Sequence, residues 1–245
     1  MTTQTLTTST ATDSTPTAKD LDQQRATIRR DLAATLRWFG AHGYQFGLAG
    51  HATVRDPGPQ ERYWVNPAGL PFAAVTEDDL VLVDADGAVV EGRHSAAGYQ
   101  SQVEVHRARP DLAAGFHVHA PYIFAWSSAG GLLDPITTDA AWLAPVQALR
   151  ESFDQPITEA IGPTARVLIQ RAHGAATFGA TIAEAAYWFV AVERAAHAQL
   201  VAEAAGRVRL VDDAVLATWQ LTPASAHAQF QALLDHFVAG EDARR

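Results

Sequence analysis

The sequence contains no cysteine, which removes disulfides, thiolate metal ligands, iron–sulfur clusters and cysteine nucleophiles together. Its single lysine, Lys19, lies in a Thr/Ser-rich N-terminal stretch, which argues against chemistry needing a buried amine, such as a Schiff base. Basic residues are scarce. Against 27 Asp and Glu there are 18 Lys and Arg, and the formal net charge of -9 speaks against a chain that wraps nucleic acid, where cationic side chains displace counterions. No apolar run approaches the ~20 residues that span a bilayer. Met1–Asp20 also lacks the apolar centre of a secretory signal, so the expectation is a cytoplasmic protein with neither membrane nor nucleic-acid partner. Polar chemistry is left to His, Asp, Glu, Arg, Tyr or a bound metal.

The chain does have apolar material in quantity. Hydrophobic residues are 48% of the 245 and charged residues 18%, a balance that gives a globular α/β domain with a sizeable core. The nine threonines within Met1–Asp20 leave that stretch too little to bury, so residues 1–20 are expected as a disordered tail and 21–245 as one domain. From Leu21, apolar residues at Ile28, Leu32, Leu36 and Phe39 recur at helical spacing up to Gly40 and Gly43. Strand-like runs follow at Phe46–Arg55, Tyr63–Asn66, Leu80–Val83 and Val89–Val90, the last two joined as a hairpin. Ser95–Arg107 reads as a helix, Ala114–His119 as a buried strand, Pro121–Ala129 as a helix and Arg166–Gln170 as a second buried strand. Ile182–Ala204, closed by Gly206, and Pro223–Val238 read as two final helices, with no internal repeat and no linker.

The chemistry gathers on histidine. His117 and His119 flank Val118 in an apolar strand, and strand alternation turns both rings to one face, spaced as two ligands of one ion. An isolated pair of this kind is as readily two core histidines. His173 shifts that balance, because it follows the apolar Val167-Leu168-Ile169 and precedes Gly174, a strand-end position from which a side chain enters a cleft. Three neutral imidazoles with an open coordination position suit a divalent metal, Zn or Fe(II), and imidazole does not choose between them.

Arg109-Pro110-Asp111 followed by Gly115-Phe116-His117-Val118-His119 resembles the signature of the class II aldolase/adducin superfamily. Ala172-His173-Gly174, Phe178-Gly179 and the helix with Glu184 and Glu193 resemble its later segment. Ala49–Pro57, Asn66-Pro67-Ala68-Gly69 and Thr76–Val81 resemble its earlier loops. The resemblance implies a three-layer α/β/α domain around a central, mostly antiparallel sheet. It also implies a metal on His117, His119 and His173, and a homo-oligomer, usually a tetramer, with metal sites near subunit interfaces.

The resemblance breaks at two places. Where sugar-phosphate members carry a catalytic glutamate, this chain has Gly98, as in the adducin-like branch, and no residue can be named as the acid/base. Glu104, the nearest carboxylate, reads as a solvated helix residue. Where those members hold phosphate, this chain has His51, Ala68-Gly69 and Ala96-Ala97, so hydroxyl donors have become methyl groups and a phosphorylated sugar is not expected. Trp64, Phe72, Tyr122, Trp126 and Trp142 lie in or beside the motif segments, some of them expected in the core and some lining an apolar cleft. Substrate contacts are expected from His51, Gly69, Gln102, His106 (one helical turn beyond Gln102) and Trp142, with Arg55 able to assist His51 in holding a carboxylate.

Three functions follow. One is metal-dependent carbon–carbon cleavage of a 2-oxo or hydroxy-carbonyl substrate, of aldolase or decarboxylase type. Another is non-haem Fe(II) oxidative decarboxylation of an aryl or apolar 2-oxo acid. The third is a non-catalytic, adducin-like interaction module, which the three retained histidines disfavour.

Overall fold

The structure, a computed structural model, describes residues 17–96, 98–206 and 208–243. Most of the expected tail, and Ala97, therefore lie outside the described residues. Thr17–Asp20 do not belong to a tail. The Thr17 hydroxyl accepts from the Asp20 N–H at 3.2 Å while the Asp20 carboxylate takes the Thr17 N–H at 3.0 Å, a reciprocal cap that starts helix α1 at Ala18. Lys19 consequently sits in the first turn of α1 (Ala18–Ala41), which buries Leu32, Leu36 and Phe39 along the predicted stripe.

Eight strands form one sheet: β1 (His51–Arg55), β2 (Arg62–Val65), β3 (Val81–Asp84), β4 (Val89–Glu91), β5 (Ala114–Val118), β6 (Gln147–Arg150), β7 (Val167–Gln170) and β8 (Gly174–Gly179). They lie in the order β4-β3-β2-β1-β5-β8-β7-β6, every pair antiparallel except β6 with β7. Strand β8 was not foreseen. Only the second half of the Phe46–Arg55 run is strand, the rest being turn and irregular backbone.

Side-chain alternation divides the sheet's two faces. Ala52 and Val54 of β1, Phe116 and Val118 of β5, and Val167 and Ile169 of β7 pack under α1, α3 (Pro121–Ala129), α6 (Ile182–Ala204) and α8 (Pro223–Asp242). The intervening residues Leu168, Ala176 and Phe178 face α2 (Gln100–Ala108) and α5 (Ile157–Ile161), packing on Val105, Ile157 and Ile161. This is the three-layer α/β/α architecture. The short helices α4 (Thr138–Leu143) and α7 (Asp213–Leu216) complete the set. Helix α2 begins at Gln100 rather than Ser95, because Gly98 holds φ +81°, outside the helical region.

Candidate metal centre and substrate cleft

Strand register brings the histidines together. On the face towards α2 and α5, His51 pairs with His117, and His117 with Ala176, making one row across β1, β5 and β8. His119 lies just past the end of β5, and His173 on the turn between β7 and β8. Ring centroids of the three stand 4.8–4.9 Å apart, and one nitrogen from each lies within 4.8 Å of the others. The His117 Nδ1 donates to the Ala175 carbonyl at 2.9 Å, which leaves Nε2 with its lone pair facing the His119 Nε2 at 3.0 Å. Two nitrogens each ~2 Å from a shared ion are separated by ~3 Å, so the spacing fits a metal.

The turn bearing His173 is held from α3. The Ser127 hydroxyl accepts from the Gly174 N–H, and its carbonyl accepts from the Ala172 N–H, both at 2.8 Å. Between them Ala172 holds φ +55°, the sole positive φ outside glycine among the described residues and a position where a side chain costs energy. Helix α3 is fixed in turn by buried Glu193, whose carboxylate takes the Tyr122 and Ile123 N–H groups at the helix start, at 3.0 and 2.8 Å.

Burial keeps all these rings neutral. It pushes His51 down to about 4 and His117 well below the ordinary histidine range. His119 and His173 are lowered by the same cause, and Arg150 depresses His173 further. Neutral imidazoles are what a divalent cation requires.

The three rings open onto a cleft of about 530 Å³, the size of a small-molecule site. Gln102 projects into it fully buried beside His51, towards whose ring its amide lies, and neither the amide nor the His51 Nδ1 meets a partner at full hydrogen-bond geometry. Buried polar atoms are nearly always satisfied, so both side chains have hydrogen-bonding capacity that a bound small molecule can use. Glu104 stands exposed at the rim. Phe153 closes the far side, edge-on to His173 at 5.0 Å and under the Arg150 guanidinium at 4.8 Å.

Several expected contacts are placed elsewhere. His106 is wholly buried, its Nε2 bonded to the Thr53 hydroxyl at 2.7 Å and its Nδ1 to the Leu112 carbonyl at 2.8 Å, a satisfied core histidine and no part of the cleft. Helix α2 presents its first turn to the cleft and its last turn to the sheet, which separates His106 from Gln102 despite their shared face. Trp142 packs on Tyr187 with the α6 layer, across the sheet from His117. Gly69 lies in a loop that does not reach the cleft. Arg55 donates to the His106 carbonyl and lies over Tyr63. Trp64, Phe72 and Trp126 are core, and Tyr122 stacks on His197. The aromatic groups that do approach the histidines are Phe153 and Phe124, the latter 5.1 Å from His119. Neither they nor Arg150 stands in a motif, and only the place of Phe124 in the first turn of α3, the helix that opens two residues after His119, offered a signal.

Residues 30–200 match the family model for the class II aldolase and adducin N-terminal domain. Decarboxylase NovR of Streptomyces niveus is 37% identical over 76% of this chain and 73% of its own length. The 4-hydroxy-3-prenylphenylpyruvate oxygenase/4-hydroxy-3-prenylbenzoate synthase of Streptomyces roseochromogenus subsp. oscitans is 36% identical over 75% of this chain and 71% of its own. Among solved structures, the L-fuculose 1-phosphate aldolase of Glaciozyma antarctica PI12 superposes with a TM-score of 0.83 at 32% identity, covering 93% of this chain and 96% of that one. Matched by the family model over residues 30–200, and by relatives above 30% identity over most of both chains, this chain belongs to the class II aldolase/adducin family.

Proposed function

We propose that this protein is a metal-dependent enzyme that cleaves a carbon–carbon bond of a non-phosphorylated 2-oxo or hydroxy-carbonyl substrate, with the ion held by His117, His119 and His173. The observation that carries the reading is the convergence of three neutral imidazoles on a cleft whose buried Gln102 and His51 have polar atoms to spare. An interaction module has no use for either. A divalent ion there supplies Lewis-acid polarisation of a carbonyl if it is zinc, and oxygen activation if it is iron(II).

The chain's own residues bind and orient. Ser101 and Gln102 offer hydrogen bonds from the first turn of α2, and Ile157 and Phe153 provide apolar surface that keeps water from the reacting carbon. No lysine lies in the cleft, and Gly98 contributes no carboxylate, so neither an amine nor the glutamate of the sugar-phosphate enzymes takes part. The relative named a decarboxylase supports a lyase. The relative named an oxygenase favours a second reading, oxidative decarboxylation of an aryl 2-oxo acid by the same three histidines. In either case the reading is of a cytoplasmic homotetramer acting on small molecules. Among the described residues no helix is long and apolar enough to cross a membrane.

Elemental analysis of protein purified without chelator, followed by turnover of an aryl 2-oxo acid, tests the reading. Zinc at about one ion per chain, with release of a carbonyl product and no oxygen uptake, sustains the lyase. Iron with oxygen uptake matching carbon dioxide release sustains the second reading. Protein without metal that turns over nothing sinks both.

A further inference from the structure

Arg150 lines the cleft and is paired with none of the chain's described carboxylates. It ends β6, lies half-buried, and is the one arginine among the described residues lining the cleft that holds the three histidines. Its guanidinium donates to the Gln155 carbonyl at 2.8 Å, the Phe153 carbonyl at 2.9 Å and the Gln170 side-chain oxygen at 3.3 Å. All three acceptors are neutral. Among the described residues Arg150 makes no ion pair, whereas Arg25, Arg37, Arg107, Arg109, Arg171 and Arg194 each meet a carboxylate. Arg55, the other described arginine without an ion pair that lines a concave site, is taken up by the His106 carbonyl and the Tyr63 ring away from the histidines. A guanidinium has five N–H donors, so two remain after the three bonds.

Bracing the loop explains those three bonds but not the missing counter-charge. Phe153 touches both the guanidinium, at 4.8 Å, and His173, at 5.0 Å, and the Arg150 charge is felt by His173. Across the same cleft, the Gln102 amide lies towards His51 and has hydrogen-bonding capacity to spare. The cleft therefore presents a cation, a neutral two-way hydrogen-bonding group and three imidazoles to a single small molecule.

We infer that Arg150 is the anion anchor of this cleft, holding the carboxylate of a carbonyl acid whose oxo or hydroxy group faces the three histidines. The inference rests on the carbonyl-substrate reading above and narrows it to acids. Phe153, on the loop that Arg150 braces, covers the substrate's apolar part, so charge and shape are read by one loop.

Equilibrium binding tests this without turnover. Phenylpyruvate and its methyl ester are titrated calorimetrically, under anaerobic conditions, into the zinc-loaded full chain as wild type, Arg150→Gln and Arg150→Lys. The metal's own preference for the acid is common to all three proteins, so the change in the acid-to-ester ratio isolates Arg150. The wild type is expected to prefer the acid, with the ratio falling about tenfold in Arg150→Gln and partly restored in Arg150→Lys. Wild-type binding of the acid weakens as salt is raised while binding of the ester does not. An acid-to-ester ratio unchanged in Arg150→Gln, or a wild type with no preference and no salt dependence, overturns the anchor. Loss of turnover in every assay, with the Arg150-dependent ratio intact, overturns the reaction instead and leaves the anchor standing.

Discussion

The His51 ring crowds the point where a side chain on residue 98 would begin. A Cβ built on Gly98 lies 3.1 Å from the His51 Cδ2, and Gly98 holds φ +81°. The absence of a carboxylate at this position and the presence of histidine at position 51 are two sides of one packing arrangement.

Restoring the carboxylate therefore damages the protein. Gly98→Glu is expected to cost about 2 kcal/mol of stability, from positive φ at a residue with a side chain and from contact with His51, and to yield no sugar-phosphate cleavage. In His51→Asn/Gly98→Glu the steric share is recovered while the φ share remains. Denaturant melts of both variants measure this, and a fully stable single variant refutes the packing account.

Ser127 fixes the position of His173 without touching it. Ser127→Ala leaves the buried Gly174 N–H unpaired, for an expected loss of about 1–3 kcal/mol. Metal affinity should fall roughly 10- to 100-fold, as for other residues that orient a ligand from behind. Competition with a coloured chelator reads the affinity directly; wild-type affinity in a destabilised Ser127→Ala would show that the turn keeps its shape unaided.

Ala172 offers the opposite change. Its left-handed backbone is relaxed in Ala172→Gly, and net of the extra freedom of the unfolded chain the variant should gain about 0.5–1 kcal/mol. A thermal melt with a higher midpoint bears this out, and a lower one refutes it.

His106 makes stability depend on pH. Its folded value is about 4, below the ordinary 6.5, because of burial first of all. Above pH 6.5 both folded and unfolded states are neutral here and the contribution is fully present. As pH falls from 6.5 towards 4, the unfolded chain takes up a proton that the folded chain refuses, and roughly 3 kcal/mol is lost. In His106→Gln the slope of stability against pH over that window should be shallower than in the wild type, whatever the variant's absolute stability. Equal slopes would remove His106 from the account.

The parts of this molecule that could be read in its sequence are those set by local period. His117 and His119 share a face because strands alternate, and α1 was visible in the spacing of Leu32, Leu36 and Phe39. His173 was marked by an apolar strand ending in glycine. What depends on long-range pairing was not visible: the row from His51 to His117 to Ala176 exists only because β1, β5 and β8 are neighbours. His106 shares a helical face with Gln102, but the tilt of α2 on the sheet, which no local pattern encodes, sends one to the core and the other to the cleft. Arg150 had no motif around it, and its importance lies in a charge left unmatched by residues distant in sequence.

Strand β5 has paired neighbours on both sides, so the backbone of His117 is released only when two ladders part. His173 rides a turn held by two hydrogen bonds from Ser127. Protection from amide exchange should accordingly be graded within one coordination sphere, near the global limit at His117 and lower at His173. On heating, the ion would then leave through the turn, with β5 the last of its supports to give way.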